Sequence, residues 1–282
     1  MEITGHGTET YLYINGISVS NEIVLHKNVV LTPVTAEFHY GKVSNLLKND
    51  VDFAVAAVSG RTIASQLRVS AADAEELAKA AWNAAWDCLL LGAIFCCEVM
   101  DNLQCDKPVE RLKDATHINV TNYAFRAMLS KPYRITPNDE KWIALHFSIA
   151  YALLEKEAYM TAVHAMASYK WHSMPRVQLA ILWSGIEALF EASTEISFRI
   201  SLYIANFLSG GNVAEAQTLF ATTRRLYNSR SSAVHGGEIK GDIESLVAES
   251  AALLNRIIRR CAELRTLPKV DELVFPSLCD KQ

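Results

Sequence analysis

Arg230 and His235 are the residues of this chain whose types and spacing point most directly to chemistry. They lie in the segment LYNSRSSAVHGG, with four residues between them. When a ribose 2'-hydroxyl attacks its own phosphate, a proton must be removed, the leaving 5'-oxygen must be protonated, and extra negative charge must be stabilised. Histidine titrates near neutral pH and suits the proton transfers, whereas the guanidinium fork of arginine suits the phosphoryl oxygens. We interpret the pair as candidate catalytic residues for cleavage of RNA.

The spacing alone is a weak signal, because a chain of this composition is expected to contain about one such pair by chance. Arg111 and His117 have a similar spacing but lie in the irregular segment RLKDATH. Five residues along an ideal helix also turn about 140°, so Arg230 and His235 do not share a face of a regular helix. Either the last helical turn loosens at Gly236, or the two residues border a groove between two subunits.

Four neighbours are supporting candidates for the same site. Tyr227 either stacks on a base or continues the apolar face of its helix, and Asn228 either orients a nucleotide or is a solvated helix residue. Ser231 retains a hydroxyl donor beside Arg230. Glu187 stands alone among apolar neighbours and needs a polar partner if it is buried. That partner is one of the two candidate catalytic residues or another buried cation.

The elements that carry these residues are predicted to be helices. Thr136-Pro137-x-Asp139 is a helix start, because proline at the first helical position sacrifices no hydrogen bond. Glycine pairs at 210–211 and 236–237 end two later helices, and a last helix with one apolar stripe begins near Asp242. The predicted helices contain WIALHFSIAYALLEK, YMTAVHAMASYKW, VQLAILWSGIEALFEA, ISFRISLYIANFL and VAEAQTLFATTRRLYNSRSSAVH.

The order of LAILWSGIEALFE, EISFRISLYIANFL and LYNSRSSAVHGG resembles the HEPN superfamily and, within it, the ApeA-like HEPN domains of bacterial defence proteins. The resemblance covers residues 136–265. It implies a helical bundle that dimerises and, in active members, cuts RNA without a metal to leave a 2',3'-cyclic phosphate. The sequence departs from the family pattern at Ser231, where the residue after the motif arginine is often Asn or another strongly polar residue.

The first half of the chain predicts a smaller α+β domain. Alternation around Asn15-Gly16 predicts a β-hairpin, and NVVLTPV and DFAVAAVSG are read as β-rich segments. Ser70 and Asp73 precede a helix, and CLLLGAIFCCEVM is either its continuation or a buried strand. The fold class is therefore mainly α, with an α+β domain over residues 1–133, a HEPN-like helical bundle over 134–267 and a tail over 268–282.

Composition limits the classes of function. The net charge of −4 argues against a long nucleic-acid-binding surface, although residues 214–265 contain eight Lys/Arg against six Asp/Glu. The six cysteines lack metal-site spacing, so neither a metal nor another cofactor is expected. The longest apolar run, Cys88 to Cys97, is far shorter than the roughly 20 residues that span a bilayer. The amino-terminal residues lack the features of a signal peptide, so we expect a cytoplasmic protein without a membrane segment.

Three functions follow as hypotheses. The first is a metal-independent endoribonuclease in antiviral defence or a toxin-like role, a biology that the family implies, with RNA as its partner and a composite site in a homodimer. The N-terminal domain then has a sensing or regulatory role. The second is a non-catalytic HEPN module that binds RNA or a protein. The third, a metal-dependent hydrolase built on the N-terminal histidines, has little support because their spacing provides no common ligand set.

Overall fold

The computed structural model describes residues 3–125, 131–190, 196–234, 236–238 and 241–274. The chain separates into two compact units, Met1–Ser148 and Ile149–Gln282. It is predominantly helical, with an antiparallel sheet in the first unit, as the sequence predicts. The division between the units falls inside a helix that follows the boundary placed at 133/134 from sequence.

The strands are β1 (Glu9–Asn15), β2 (Ile17–Ser18), β3 (Ile23–His26), β4 (Val29–Pro33), β5 (Ile63–Ser70), β6 (Met100–Cys105), β7 (Ile118–Val120) and β8 (Tyr133–Arg134). The helices are α1 (Asp50–Ser59), α2 (Ala74–Phe95), α3 (Pro137–Leu153), α4 (Glu157–Ser168), α5 (Pro175–Phe190), α6 (Ile196–Ser209), α7 (Val213–Val234), α8 (Ile243–Leu264) and α9 (Val270–Val274).

The first unit is organised around β1. The described strands form a six-stranded antiparallel sheet in the order β3-β4-β5-β1-β6-β7, and β2 pairs separately with β8. Successive side chains of a strand point to opposite faces. Tyr11 and Tyr13 accordingly join the cluster that includes Val55 of α1, whereas Leu12 and Ile14 are buried outside that cluster. Because β1 is covered on both faces, it forms the centre of this unit.

Two local predictions for this unit are wrong. Asn15-Gly16 does not form a hairpin, because β1 pairs with β5 and β6 while β2 pairs with β8. The segment DFAVAAVSG is not a strand but most of helix α1. The Asn49 side chain accepts hydrogen bonds from the amides of Val51 and Asp52, each at 3.0 Å, and so caps this helix.

Two helix starts follow their sequence signals. Asp73 caps α2 by accepting from the Glu76 amide at 2.9 Å, and α2 continues through the ambiguous apolar run to Phe95. At α3, the Thr136 amide donates to Asp139 Oδ2 at 2.9 Å and the Asp139 amide donates to Thr136 Oγ1 at 3.3 Å. This reciprocal pair is a capping box, which satisfies amides that the helix leaves open.

The second unit is a helical bundle centred on α5. This helix contacts α4, α7 and α8, and α6 and α7 form an antiparallel pair joined at Gly210-Gly211. Gly185 allows α4 and α5 to pack closely, since a Cβ atom at this position would lie 2.8 Å from Ala165 Cβ. The predicted helices of this unit are confirmed, including α8 with Asp242 as its cap. Within the described residues, no helix is long and apolar enough to cross a membrane.

Candidate functional site

Helix α7 directs Arg230 inward. Leu219, Thr223, Leu226 and Ala233 are buried at successive intervals of four, three and seven residues, which is the spacing of one helix face. Arg230 lies on the same face, four residues after Leu226, so its side chain enters the space between α7 and α5. The helix is regular to Val234, and no loosened turn follows Arg230 before that point.

Arg230 forms an ion pair with Glu187 of α5. The Arg230 Nη2 and Glu187 Oε2 atoms are 3.1 Å apart, and the two side chains are 19% and 31% exposed, respectively. Glu187 Oε1 and Arg230 Nε are buried without a hydrogen-bond partner among the described residues. Burial raises the pKa of Glu187, and attraction by Arg230 offsets only part of that rise. The pair is therefore incompletely satisfied.

Tyr227 packs between Arg230 and the centre of the bundle. Its ring lies edge-on to Trp183, with centroids 5.3 Å apart, and the Arg230 guanidinium carbon is 5.8 Å from the Tyr227 centroid. Trp183 in turn donates from Nε1 to Ser250 Oγ at 3.2 Å. Burial is the main cause that raises the pKa of Tyr227. This ring is half-buried, so the site has an aromatic wall in contact with the core.

Asn228 and Ser231 occupy the other side of α7. Asn228 is exposed and accepts a hydrogen bond through Oδ1 from Ser197 Oγ at 3.1 Å, which links α7 to α6. Ser231 is partly exposed. An ideal helix places these two residues about 60° apart and Arg230 on the opposite half of the helix. The structure therefore groups Arg230, Tyr227 and Glu187, and leaves Asn228 and Ser231 outside that group.

The end of α7 is held by a residue that the sequence analysis did not identify. Arg176, in the first turn of α5, donates from Nη1 to the Ala233 carbonyl at 3.1 Å and from Nη2 to the Gly237 carbonyl at 3.3 Å. The Gly237 amide donates to the Ser232 carbonyl at 2.8 Å, and Gly236 has a φ of 74°. His235 lies outside the described residues. No local sequence pattern links Arg176 to carbonyls so distant in the chain.

Other charges on α7 are mostly neutralised. Arg225 pairs with Glu249 of α8, and Arg256 of α8 pairs with Glu215 at 3.0 Å. Arg224 is exposed and forms no ion pair with any described residue. No group of three or more His, Cys, Asp or Glu in the described ranges is arranged to hold a metal ion. Cys88, Cys96, Cys105 and Cys261 form no disulfide bond within the described ranges, and Cys88, Cys105 and Cys261 are buried.

Comparison with family models, with curated proteins and with solved structures finds no match for this chain.

Proposed function

We propose that the second unit is a metal-independent endoribonuclease of the HEPN type. The observation that carries this proposal is the Arg230–Glu187 pair, which holds a half-buried guanidinium about one turn before the end of α7. Burial raises the pKa of Glu187 more than Arg230 lowers it, so the ion pair offsets only part of the cost of burying the carboxylate. A phosphoryl oxygen is a strong competing acceptor for the same guanidinium.

Each candidate residue has a proposed role. Arg230 binds the phosphoryl oxygens and stabilises their developing charge, while His235 transfers protons to and from the ribose and leaving oxygens. Glu187 positions Arg230 in the absence of RNA. Tyr227 limits the motion of the guanidinium through its ring face. Asn228 and Ser231 contact the nucleotides beside the cleaved bond.

A homodimer with a composite site forms part of this proposal. Arg230 points inward from α7, and a regular helix carries a residue five positions later about 140° around the axis. A groove between two subunits brings such residues to one phosphate without distorting either helix. On this proposal the protein acts on RNA in antiviral defence or a toxin-like role in the cytoplasm, and the first unit senses a signal or regulates cleavage.

A second candidate function is a non-catalytic HEPN module that binds RNA or a protein partner. The inward direction of Arg230 favours it, because an arginine paired with Glu187 also serves to join α5 and α7. In that case Arg230 stabilises the bundle and Asn228, Ser231 and the exposed Arg224 form the binding surface.

Incubation of the purified protein with total RNA in EDTA separates these functions. We expect cleavage by the native protein, none by His235→Ala or Arg230→Gln, and native cleavage by the control His172→Ala, which removes an exposed histidine near the start of α5. The products are expected to end in 2',3'-cyclic phosphate. Absence of cleavage under all conditions, with RNA affinity unchanged in His235→Ala, would favour the binding module. Metal-dependent cleavage that leaves 5'-phosphates would contradict the proposed roles.

A further inference from the structure

A cavity of about 530 Å³ in the first unit brings together residues that are distant in sequence. The His6 and His117 rings stack with their centroids 3.7 Å apart and their planes 15° apart. The spacing of the N-terminal histidines along the chain does not predict this contact, because the fold alone brings the two rings together. Arg111 also lines the cavity, so Arg111 and His117, which lie close together in the sequence, share one surface. The lining residues are His6, Gly7, Thr8, Glu9, Tyr11, Asp106, Lys107, Pro108, Arg111, Thr116 and His117.

A hydrogen-bond relay orients His117. The Thr116 hydroxyl donates to Asp106 Oδ2 at 2.7 Å, so its oxygen accepts a hydrogen bond from His117 Nδ1–H at 2.9 Å. A neutral imidazole that donates through Nδ1 has an unprotonated Nε2. Asp106 also accepts from the amides of Thr116 and His117, and these bonds lower its pKa despite burial. The carboxylate is therefore ionised and engaged, and in this tautomer His117 Nε2 can accept a hydrogen bond.

Two cations border the same cavity. Lys107 Nζ lies 3.5 Å from Asp106, and Arg111 Nε contacts Asp114 at 3.2 Å. These contacts involve one nitrogen of Arg111, so its two terminal nitrogens retain donors for an incoming anion. Glu9 also lines the cavity, where its Oε1 accepts from the Tyr11 hydroxyl at 2.5 Å and its second oxygen can accept another donor. The residues that line the cavity thus provide both donors that can bind an anion and acceptors that can bind hydroxyl groups.

The segment that carries His6 is fixed against the sheet and α2. The Thr4 amide donates to Gln104 Oε1 at 3.0 Å, and Gln104 Nε2 donates to the Thr4 carbonyl at 2.7 Å. A Cβ atom on Gly5 would lie 1.7 Å from the Ala74 carbonyl oxygen, so only glycine fits this close approach. The His6 ring is therefore positioned by the hydrogen bonds between Thr4 and Gln104 and by the close contact of Gly5 with Ala74. The His117 ring is positioned by the hydrogen bonds through Thr116 to Asp106.

We propose that this cavity binds a mononucleotide. The phosphate would meet Arg111 and Lys107, the ribose hydroxyls would donate to Glu9 and His117 Nε2, and the base would stack on the imidazole pair. A phosphate would compete with Asp106 and Asp114 for these two cations, and the ribose hydroxyls would occupy acceptors that no described residue fills. The cavity volume lies within the range of roughly 300–1,000 Å³ that is typical of small-molecule sites. The first unit would then respond to a nucleotide, whether or not the second unit cleaves RNA.

Protonation couples to this binding. At neutral pH the lining cations Lys107 and Arg111 balance the anions Glu9 and Asp106, and Asp114 lies behind Arg111. Burial and the neighbouring His117 lower the pKa of His6, while Asp106 opposes them. A bound phosphate adds negative charge beside His6 and so favours the charged form of that ring. We therefore expect tighter binding of the nucleotide at pH 6 than at pH 8.

Calorimetric titration of the full chain with adenosine 5'-monophosphate, ribose 5-phosphate and adenosine tests the proposal. The nucleotide should bind one per chain, at least about tenfold more tightly than either fragment, a difference of about 1.4 kcal/mol. Arg111→Gln and His117→Gln should each weaken it at least about tenfold at both pH values, and His6→Gln should remove the difference between pH 6 and pH 8. The controls Lys113→Gln and His39→Gln, which change exposed residues outside the cavity, should bind as the native chain does.

Three outcomes would overturn the proposal. One is the absence of nucleotide binding at millimolar concentration at both pH values. Another is binding that survives both Arg111→Gln and His117→Gln. The third is equal affinity for ribose 5-phosphate and the nucleotide, which would identify a general anion site. Gly5→Ala offers a further check that alters no lining side chain. The added Cβ atom should displace His6 and weaken nucleotide binding, while circular dichroism should show that the fold is retained.

Discussion

Replacing Glu187 by glutamine removes the charge that faces Arg230 while preserving the shape of the side chain. The amide oxygen of glutamine still accepts from Arg230, so the hydrogen bond of 3.1 Å is kept in weaker form. The substitution therefore tests how strongly the ion pair stabilises the fold and how readily Arg230 can leave Glu187 for a phosphate. Arg230→Gln performs the opposite change, because it leaves the carboxylate without its cation.

The structure sets the expected magnitudes. Exposed ion pairs contribute about 0–1 kcal/mol, and removing one partner of a buried pair costs about 3–5 kcal/mol. The side-chain exposures of 19% and 31% place this pair between the two classes. The raised pKa of Glu187 shows that loss of solvation outweighs attraction by Arg230. We expect Glu187→Gln to lower the free energy of unfolding by less than about 1 kcal/mol at pH 7, and Arg230→Gln to lower it by about 2 kcal/mol.

Urea denaturation of both variants and of the double variant measures these differences. The double variant should recover about half of the loss in Arg230→Gln, because its buried carboxylate is gone. In the native chain, the contribution of Glu187 is fully present below its ordinary pKa of 4.5 and is lost as pH rises through its higher folded pKa. Glu187→Gln should lack this dependence. A loss above about 3 kcal/mol in Glu187→Gln would refute the reasoning and indicate a strong, fully buried bridge.

Three further predictions concern the pH dependence, the core and the end of α7. Burial raises the pKa of Asp101 to about 7, so its contribution to the free energy of unfolding, up to about 4 kcal/mol, is lost as pH rises from about 4 to about 7. The urea midpoint of Asp101→Asn should therefore change less with pH over that range than the midpoint of the native chain, and an equal change would contradict this. Leu254→Ala should cost about 3 kcal/mol of unfolding free energy because this side chain is fully buried against Gly185, whereas the exposed Leu264→Ala should cost less than about 1 kcal/mol by the same measurement. Arg176→Gln removes two charge-assisted hydrogen bonds and should speed amide hydrogen exchange in residues 232–234 and 236–238 at least about tenfold, whereas the control Arg224→Gln should not. Exchange in Arg176→Gln as slow as in the native chain would show that these bonds do not hold the segment.

The sequence predicted the second unit well because its signals are local. Helix periodicity depends on residues three and four apart, and glycine stops such as Gly210 act on the turn in which they occur. The same holds for the Thr136 and Asp139 capping box at α3 in the first unit. The candidate site was predictable only in part, since the spacing of Arg230 gives its face on α7 but not its contact with Glu187.

The first unit was less predictable because its organisation depends on distant residues. Asn15-Gly16 correctly marks a turn, but a turn does not specify which strand pairs with β1. The apolar run in α1 is equally suited to a buried strand, and the cap at Asn49 was the signal that distinguishes a helix. No local pattern places His6 against His117, because the sheet brings their two segments together.

The anchor formed by Arg176 recognises main-chain oxygens, which every amino acid carries. Side chains at positions 231, 232 and 234 can therefore vary without loss of this attachment, whereas Ala233 is buried against the bundle. Exposed side chains after Arg230 can therefore be substituted while the backbone at the end of α7 keeps its path. Ser231 lies in this stretch, so Ser231→Asn tests the role proposed for this side chain without disturbing the hydrogen bonds that Arg176 donates.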